Sequence, residues 1–126
     1  MKHIWLRPKC TGDVPPHGRH GHTACEYKKQ VVIFGGEQRW NPTLGYRECL
    51  NDVRYFDPAK AQWKLIKSMG KVIAPRRNHA AAANDKIMIV YGGIGSEGNY
   101  LKDVWSFNLS KFFQLFWLIL RKLYLD

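Results

Sequence analysis

The sequence predicts an all-β chain made of repeated propeller blades, and three observations carry that reading. Displacing the chain by 57 positions lays Arg19, His22, Ala24 and the run Val31 to Gly36 (VVIFGG) over Arg76, His79, Ala81 and Met88 to Gly93 (MIVYGG). A displacement of 51 positions lays Leu50 to Asp57 (LNDVRYFD) over Leu101 to Asn108 (LKDVWSFN), so the second copy is six residues shorter between these blocks. Both copies consist of short β-branched and aromatic runs closed by turn-forming residues, which is strand chemistry. Four short strands recurring at about 50 residues is the period of a blade whose sheet packs face to face on its neighbours.

Taken in chain order, residues 1–14 read as the outer strand of a preceding or closing blade. Trp5 followed by Gly12 has the spacing of Trp63 followed by Gly70, and each leads through a Pro-containing segment to an Arg. Residues 15–70 form the first repeat. His22 to Tyr27 and Val31 to Phe34 make a hairpin across Lys28-Lys29-Gln30, a polar connection of hairpin length. Val53 to Phe56 is the third strand, Asp57-Pro58-Ala59-Lys60 is the turn that ends it, and Trp63 opens the fourth. Residues 71–110 form a second, incomplete repeat: His79 to Ala83 and Ile87 to Tyr91 pair across Asn84-Asp85-Lys86, and Val104 to Phe107 follows. Gln114 stands where the first copy places its Trp, and the register is lost after Asn108. Residues 111–126 are an apolar tail.

R-x-x-H, an aliphatic strand closing in Gly-Gly, L-x-D-V with aromatics and Asp or Asn, and then Trp: this order resembles the kelch repeat family over roughly residues 15 to 110. The fold implied is a partial kelch propeller, about two four-stranded antiparallel blades plus an N-terminal closing strand. In kelch proteins an outer strand borrowed from the opposite terminus commonly closes the ring, and Trp5 is the candidate for such a strand. The signature residues are Arg19, His22, Gly35, Gly36, Asp52 and Trp63 in the first copy, and Arg76, His79, Gly92, Gly93 and Asp103 in the second. The glycine pairs sit at strand ends, where a residue without Cβ takes positive φ and lets a neighbouring backbone approach. A phosphate loop is not read there, because G-x-x-x-x-G-K-[ST] is absent. Arg19 and Arg76, with Asp52 and Asp103, would be expensive if buried unpaired, so they are expected to reach each other, backbone carbonyls or water. The resemblance implies that Trp63, Tyr55, Phe56, Trp105 and Phe107 pack between adjacent blades.

Catalysis is not expected: the chain has no G-x-S-x-G elbow, no H-E-x-x-H, and no cysteine with an activating partner. His17, His20 and His22 are the one cluster with metal-ligand character, since residues 20 and 22 of a strand share a face. No Cys or carboxylate completes a tetrahedral set at standard spacing, and the repeat already accounts for His22 through His79. No metal and no cofactor is therefore assigned. Cys10, Cys25 and Cys49 lack metal spacing and are odd in number, which fits free thiols in a reducing compartment. Residues 1 to 10 hold no apolar stretch of signal-peptide length, and a cytoplasmic location is the expectation.

The function read from these features is non-catalytic binding of another protein through inter-strand loops. Loops on a rigid scaffold carry function, and the long insertion from Glu37 to Cys49 holds Arg39, Trp40, Tyr46 and Arg47, residue types that dominate interface hot spots. The second reading is a peripheral membrane or polyanion binder, drawing on the formal charge of +10 and the apolar tail. The basic residues are scattered rather than clustered, so no specific nucleic-acid partner is expected. The apolar core of the tail, Leu115 to Leu120, is shorter than the roughly 20 residues of a membrane span. Three readings of the tail stay open: a recruited fourth strand, a helix lying on exposed hydrophobic surface or membrane, or the end of a truncated reading frame, the last being preferred. Two blades leave open faces and sheet edges, which invites self-association.

Overall fold

Short β-branched and aromatic runs, interrupted by tight polar turns, fold the chain into four sheets, of which the two blade sheets pack on each other and the other two are ribbons at their ends. The computed structural model describes residues 2–125, with the backbone alone for residues 111–117. In order the elements are β1 (Thr11–Gly12), β2 (Arg19–His20), β3 (Thr23–Tyr27), β4 (Gln30–Phe34), β5 (Glu37–Asn41), β6 (Tyr46–Cys49) and β7 (Val53–Asp57). They continue through β8 (Gln62–Ile66), β9 (Arg76–Arg77), β10 (Ala80–Ala83), β11 (Ile87–Tyr91), β12 (Ile94–Gly95), β13 (Val104–Asn108) and the helix α1 (Lys111–Tyr124).

The first blade has the order β1-β8-β7-β4-β3, antiparallel throughout except for β1, which runs parallel to β8 with Thr11 beside Gln62. The second has the order β10-β11-β13. Registers repeat between them: Val32 lies between Cys25 and Tyr55 in the first, and Ile89 between Ala82 and Ser106 in the second. The β3–β4 hairpin turns through only two residues, Lys28 (φ 47°) and Lys29 (φ 63°), the left-handed pair that a strand-matched turn requires. In the second hairpin Asn84 Oδ1 accepts from the Lys86 and Ile87 N–H groups at 2.8 and 2.9 Å.

One face of each blade sheet meets the other. Tyr27, Val32, Phe34, Val53 and Tyr55 of the first blade are buried against Met88 and Val90 of the second, with Leu109 closing the cluster and Trp105 and Phe107 packed on it. The period of two decides which residues are buried: in β11 Met88 and Val90 face inward, while Tyr91 is exposed. The repeat architecture is therefore a partial propeller, none of whose sheets closes on itself.

Three sequence expectations change here. Residues 2–10 form no strand, and Trp5, the candidate closing-strand residue, is fully exposed. Only β1 joins the sheet, and it does so in parallel at the outer edge of the blade that follows it. The recruited-strand reading of the tail is overturned by α1. Asn108 Oδ1 accepts from the Ser110 N–H at 2.8 Å, turning the chain at the end of β13, and the fourteen residues that follow hold no Gly or Pro to stop a helix. The second blade accordingly has three strands among the described residues. The insertion at 37–49, finally, is an ordered β-hairpin, β5 paired with β6, and not an irregular loop.

Candidate interaction surface

The frame beneath the surface is built from the signature residues. Arg19 Nη1 and Nη2 donate to Asp52 Oδ1 and Oδ2 at 2.6 and 2.9 Å, and Arg19 Nη1 also reaches the Gly35 carbonyl at 3.2 Å. Arg76 repeats the arrangement on Asp103 at 2.7 and 2.9 Å and on the Gly92 carbonyl at 2.9 Å, with a further bond from Nε to the Ala74 carbonyl at 3.1 Å. The second oxygen of each carboxylate takes another donor: Arg54 Nε on Asp52 Oδ2 at 2.7 Å, and Trp105 Nε1 on Asp103 Oδ2 at 2.6 Å. Arg54 and Trp105 occupy equivalent positions in the two repeats, so chemically unlike side chains complete the same network. Burial opposes ionisation of Asp52, but hydrogen bonds from Arg19 and then Arg54 outweigh it and hold its pKa below the ordinary value. The Arg76 and Trp105 hydrogen bonds hold Asp103 well below the usual carboxylate range.

The first glycine pair, Gly35-Gly36, is where one blade's backbone meets the next. Gly36 donates its N–H to the Arg76 carbonyl at 2.9 Å and accepts from Leu50 N–H at 2.8 Å, and the Arg76 N–H in turn reaches the Leu50 carbonyl at 3.1 Å. At Gly36, with φ 92°, a Cβ would stand 2.7 Å from the His20 carbonyl oxygen, which leaves no room for any side chain. His79 crosses the same seam: its Nε2 lies 2.9 Å from Thr23 Oγ1, and its ring meets Phe34 edge-on at 5.0 Å. Burial, followed by the Arg76 charge, pushes the His79 pKa down to about 4. Its repeat partner His22 is exposed, and burial of part of its ring lowers its pKa. His20 pairs with Glu37 at 3.1 Å, and among the described residues no three His, Cys, Asp or Glu side chains converge as metal ligands would. Trp63 packs on Phe56 with ring centroids 4.9 Å apart.

The β5–β6 hairpin stands on this frame. Its base is fixed by Glu37, which is buried, lies 3.1 Å from His20 Nε2 in its own blade and is ion-paired to Arg77 of the next at 3.1 Å. Gln38 Nε2 donates to Glu48 Oε2 at 2.9 Å across the ribbon. At the tip Asn41 Oδ1 accepts from the Thr43 and Leu44 N–H groups at 2.9 and 3.3 Å, while the Asn41 carbonyl takes the Gly45 N–H at 2.8 Å. Side chains between these ties project into solvent: Trp40 is 54% exposed, and Arg39, Leu44, Tyr46 and Arg47 are exposed too. The register places Trp40 directly opposite Arg47 and Asn41 opposite Tyr46. Trp40 and Arg47 therefore share one face of the ribbon and Tyr46 lies on the other. A register shift between Glu37 and Trp40 locally twists the strand that carries Arg39.

The corresponding connection in the second blade is the short turn after β12, which leaves the sheet at the same end. It carries Tyr100, 88% exposed, which sequence reasoning passed over. The signal was available, since Tyr100 falls in the second copy's counterpart of the connection that carries the Trp40 hairpin.

Comparison with known proteins places these features in company. The family model described as the KLHDC2/KLHL20/DRC7 Kelch-repeats domain matches residues 1–115. The chain is 33% identical over 99 residues to the Rho GTPase-activating protein gacHH of Dictyostelium discoideum, covering 78% of this chain and 6% of that protein. It is 34% identical over 92 residues to human Kelch domain-containing protein 3, covering 72% of this chain and 22% of that protein. It is 32% identical over 109 residues to the flagellar outer-arm dynein alpha chain of Chlamydomonas reinhardtii, covering 86% of this chain and 2% of that protein. The chain thus spans less than a quarter of the length of each of these relatives.

Proposed function

The chain belongs to the kelch-repeat family, whose domains are in general protein-interaction modules, and on that premise we propose that it binds a protein partner without catalysis, through the β5–β6 hairpin. The observation that carries this reading is the contrast between frame and hairpin. The signature Arg and Asp residues, the glycine pairs and His79 are engaged within and between blades, whereas Trp40 and Arg47 sit opposed and exposed on a ribbon held at both base and tip. A pre-organised aromatic and guanidinium pair is the composition of an interface hot spot, and holding it in place lowers the ordering cost of binding. The test is a quantitative pull-down in which the native chain, Trp40→Ala with Arg47→Ala, and Tyr46→Ala are compared under equal folding, checked by urea midpoint. Partners captured by the native chain should fall at least about tenfold with the double substitution and less with Tyr46→Ala, on the other face. Capture unchanged by the double substitution overturns the hairpin as the site.

A second reading is favoured by α1. Leu118, Ile119, Leu123 and Leu125 are exposed at the end of the helix that also carries Arg121 and Lys122, the pairing of apolar and basic groups found in helices that lie on anionic bilayers. No helix among the described residues is long and apolar enough to cross a membrane. Co-sedimentation with anionic vesicles, measured with and without residues 111–126, separates the readings: membrane binding requires the tail and weakens with salt.

A further inference from the structure

The outer edge of β13 has no strand beside it among the described residues. The Asp103 carbonyl accepts from Gly92 N–H at 3.2 Å and the Leu109 N–H donates to the Lys86 carbonyl at 2.8 Å, so the odd-numbered residues of this strand bond toward β11. By strand alternation the N–H and C=O groups of Val104, Ser106 and Asn108 point to the open edge. In the first blade the equivalent edge of β7 is filled by β8, with Trp63 opposite Phe56. Beside the open edge lies a cleft of about 350 Å³ between the blades, lined by Phe34, Val53, Met69, Met88, Trp105 and Phe107 among others. A dry engineered cavity of roughly 150 Å³ already accepts benzene, so this cleft has room for an indole.

The chain also carries an unpaired segment of the right kind. Ile4, Trp5 and Leu6 are all exposed, and residues 2–10 form no secondary structure. Trp5 precedes Gly12 by the interval that separates Trp63, in β8, from Gly70. Aligned on Trp5 and Trp63, residues 4–7 fall at the positions of Gln62 to Leu65 in the strand that pairs at this edge in the first blade, and Pro8, lacking an N–H, ends the ladder.

We propose that residues 3–7 of a second copy of this chain pair with the open edge of β13, Trp5 opposite Phe107 and Leu6 opposite Ser106, so that the Trp5 indole enters the cleft and the protein self-associates by strand donation. The geometry favours a second copy over the same chain. In this register Arg7 sits about three residues along the ladder from the level of Thr11, which β1 holds beside Gln62. Three residues of strand rise about 10 Å, packed sheets lie about 10 Å apart, and β1 lies one strand spacing of about 5 Å beyond β8, a separation of roughly 15 Å. Four residues span at most about 14 Å. Docking onto the same chain's own β13 would therefore strip β1 from its sheet, while a donated strand leaves it in place. Two copies of formal charge +10 repel, so added salt strengthens this association, opposite to its effect on polyanion binding.

The experiment is a disulfide trap read beside sedimentation velocity on the full chain. Copies carrying Leu6→Cys are mixed with copies carrying Ser106→Cys under mild oxidation, with each variant alone as background for the native thiols. Opposed strand residues lie within disulfide reach, so a covalent dimer should form. Leu6→Cys mixed with Asn108→Cys, two residues out of register, should give about tenfold less. Trp5→Ala and Ser106→Pro should each weaken self-association at least about tenfold with the urea midpoint unchanged, because the Ser106 N–H faces the open edge and a proline there breaks no bond to β11. A monomer with no trapped dimer overturns the proposal. So does self-association that survives both substitutions, or a cross-link formed within one chain carrying both cysteines.

Discussion

Acidification to about pH 5 should weaken the seam between the blades through one residue, His79. It is 7% exposed, edge-on to Phe34, bonded at Nε2 to Thr23 and near the Arg76 guanidinium. A proton added there creates a second buried cation. Burial and the Arg76 charge set its pKa at about 4, below the value of about 6.5 in an unfolded chain. The unfolded chain therefore binds the proton more readily. The stability this histidine contributes is complete above about pH 6.5 and is lost as pH falls from there through about 4. Between about pH 7.5 and pH 5 those two values give a loss of ~2 kcal/mol, a large part of the roughly 5–15 kcal/mol that holds a typical domain folded. With a urea slope of about 1–3 kcal/mol/M the midpoint should move down by about 1 M. Asp52 and Asp103 contribute little in this window, since both are held below the ordinary carboxylate range and their share is lost only at lower pH. The assay is urea unfolding followed by circular dichroism across this pH range, for the native chain and for His79→Gln, which stays neutral throughout. The variant should be less stable at neutral pH but nearly flat with pH, leaving only the smaller contribution of His22. A native midpoint that does not move, or an equal loss in the variant, refutes the reasoning.

Two further outcomes follow from the frame. Arg76→Ala should lower stability by about 3 kcal/mol by urea denaturation: removing one partner of a buried pair costs about 3–5 kcal/mol, and the lower end applies because Arg76 is 0% exposed while the Asp103 side chain, 42% exposed, can rehydrate. A loss under about 1 kcal/mol would contradict the architectural role. Tyr55→Phe should leave stability unchanged or raise it by up to ~1 kcal/mol, since the Tyr55 hydroxyl is buried without a partner and burial, then Tyr27, pushes its pKa up to about 12. A loss above about 1 kcal/mol by the same assay would mean that the hydroxyl is satisfied in solution.

The strands were legible because their identity rests on local chemistry repeated twice. Val31 to Phe34 and Ile87 to Tyr91 are strands in the structure, with Gln30 joined to the first. What escaped was set by context. Glu37 to Asn41 reads as polar loop because its one buried residue, Glu37, is held by partners remote in sequence, His20 and Arg77, and Arg77 belongs to the next blade. The tip signal, an Asn followed by Pro and then Gly, was present in residues 41 to 45 but lacked flanking apolar alternation to mark a hairpin. Trp5 matched Trp63 in spacing, yet spacing cannot supply the sheet face that an indole needs. Of the candidate site, the four residues were legible as a group. Their division between two faces of the ribbon was not, because it depends on the shifted register between β5 and β6.

The two halves of the repeat serve opposite ends. Where the copies coincide, at Arg19 and Arg76, Asp52 and Asp103, and the glycine pairs, side chains and backbone are engaged in joining strands within and between blades, and a substitution there is felt as stability. Where they differ by six residues, the longer copy raises a ribbon whose removal would leave every bond of the Arg–Asp frame intact. Glu37 joins the two, since its carboxylate belongs to the hairpin base and its partners to both blades. A change in blade packing that moved Arg77 away from Glu37 would therefore reach Trp40 and Arg47 through the base of the ribbon on which they stand. On the proposed hairpin binding, the Glu37 carboxylate would couple binding to blade assembly, and the coupling would be reciprocal: a partner that fixed the hairpin would also hold the two blades together.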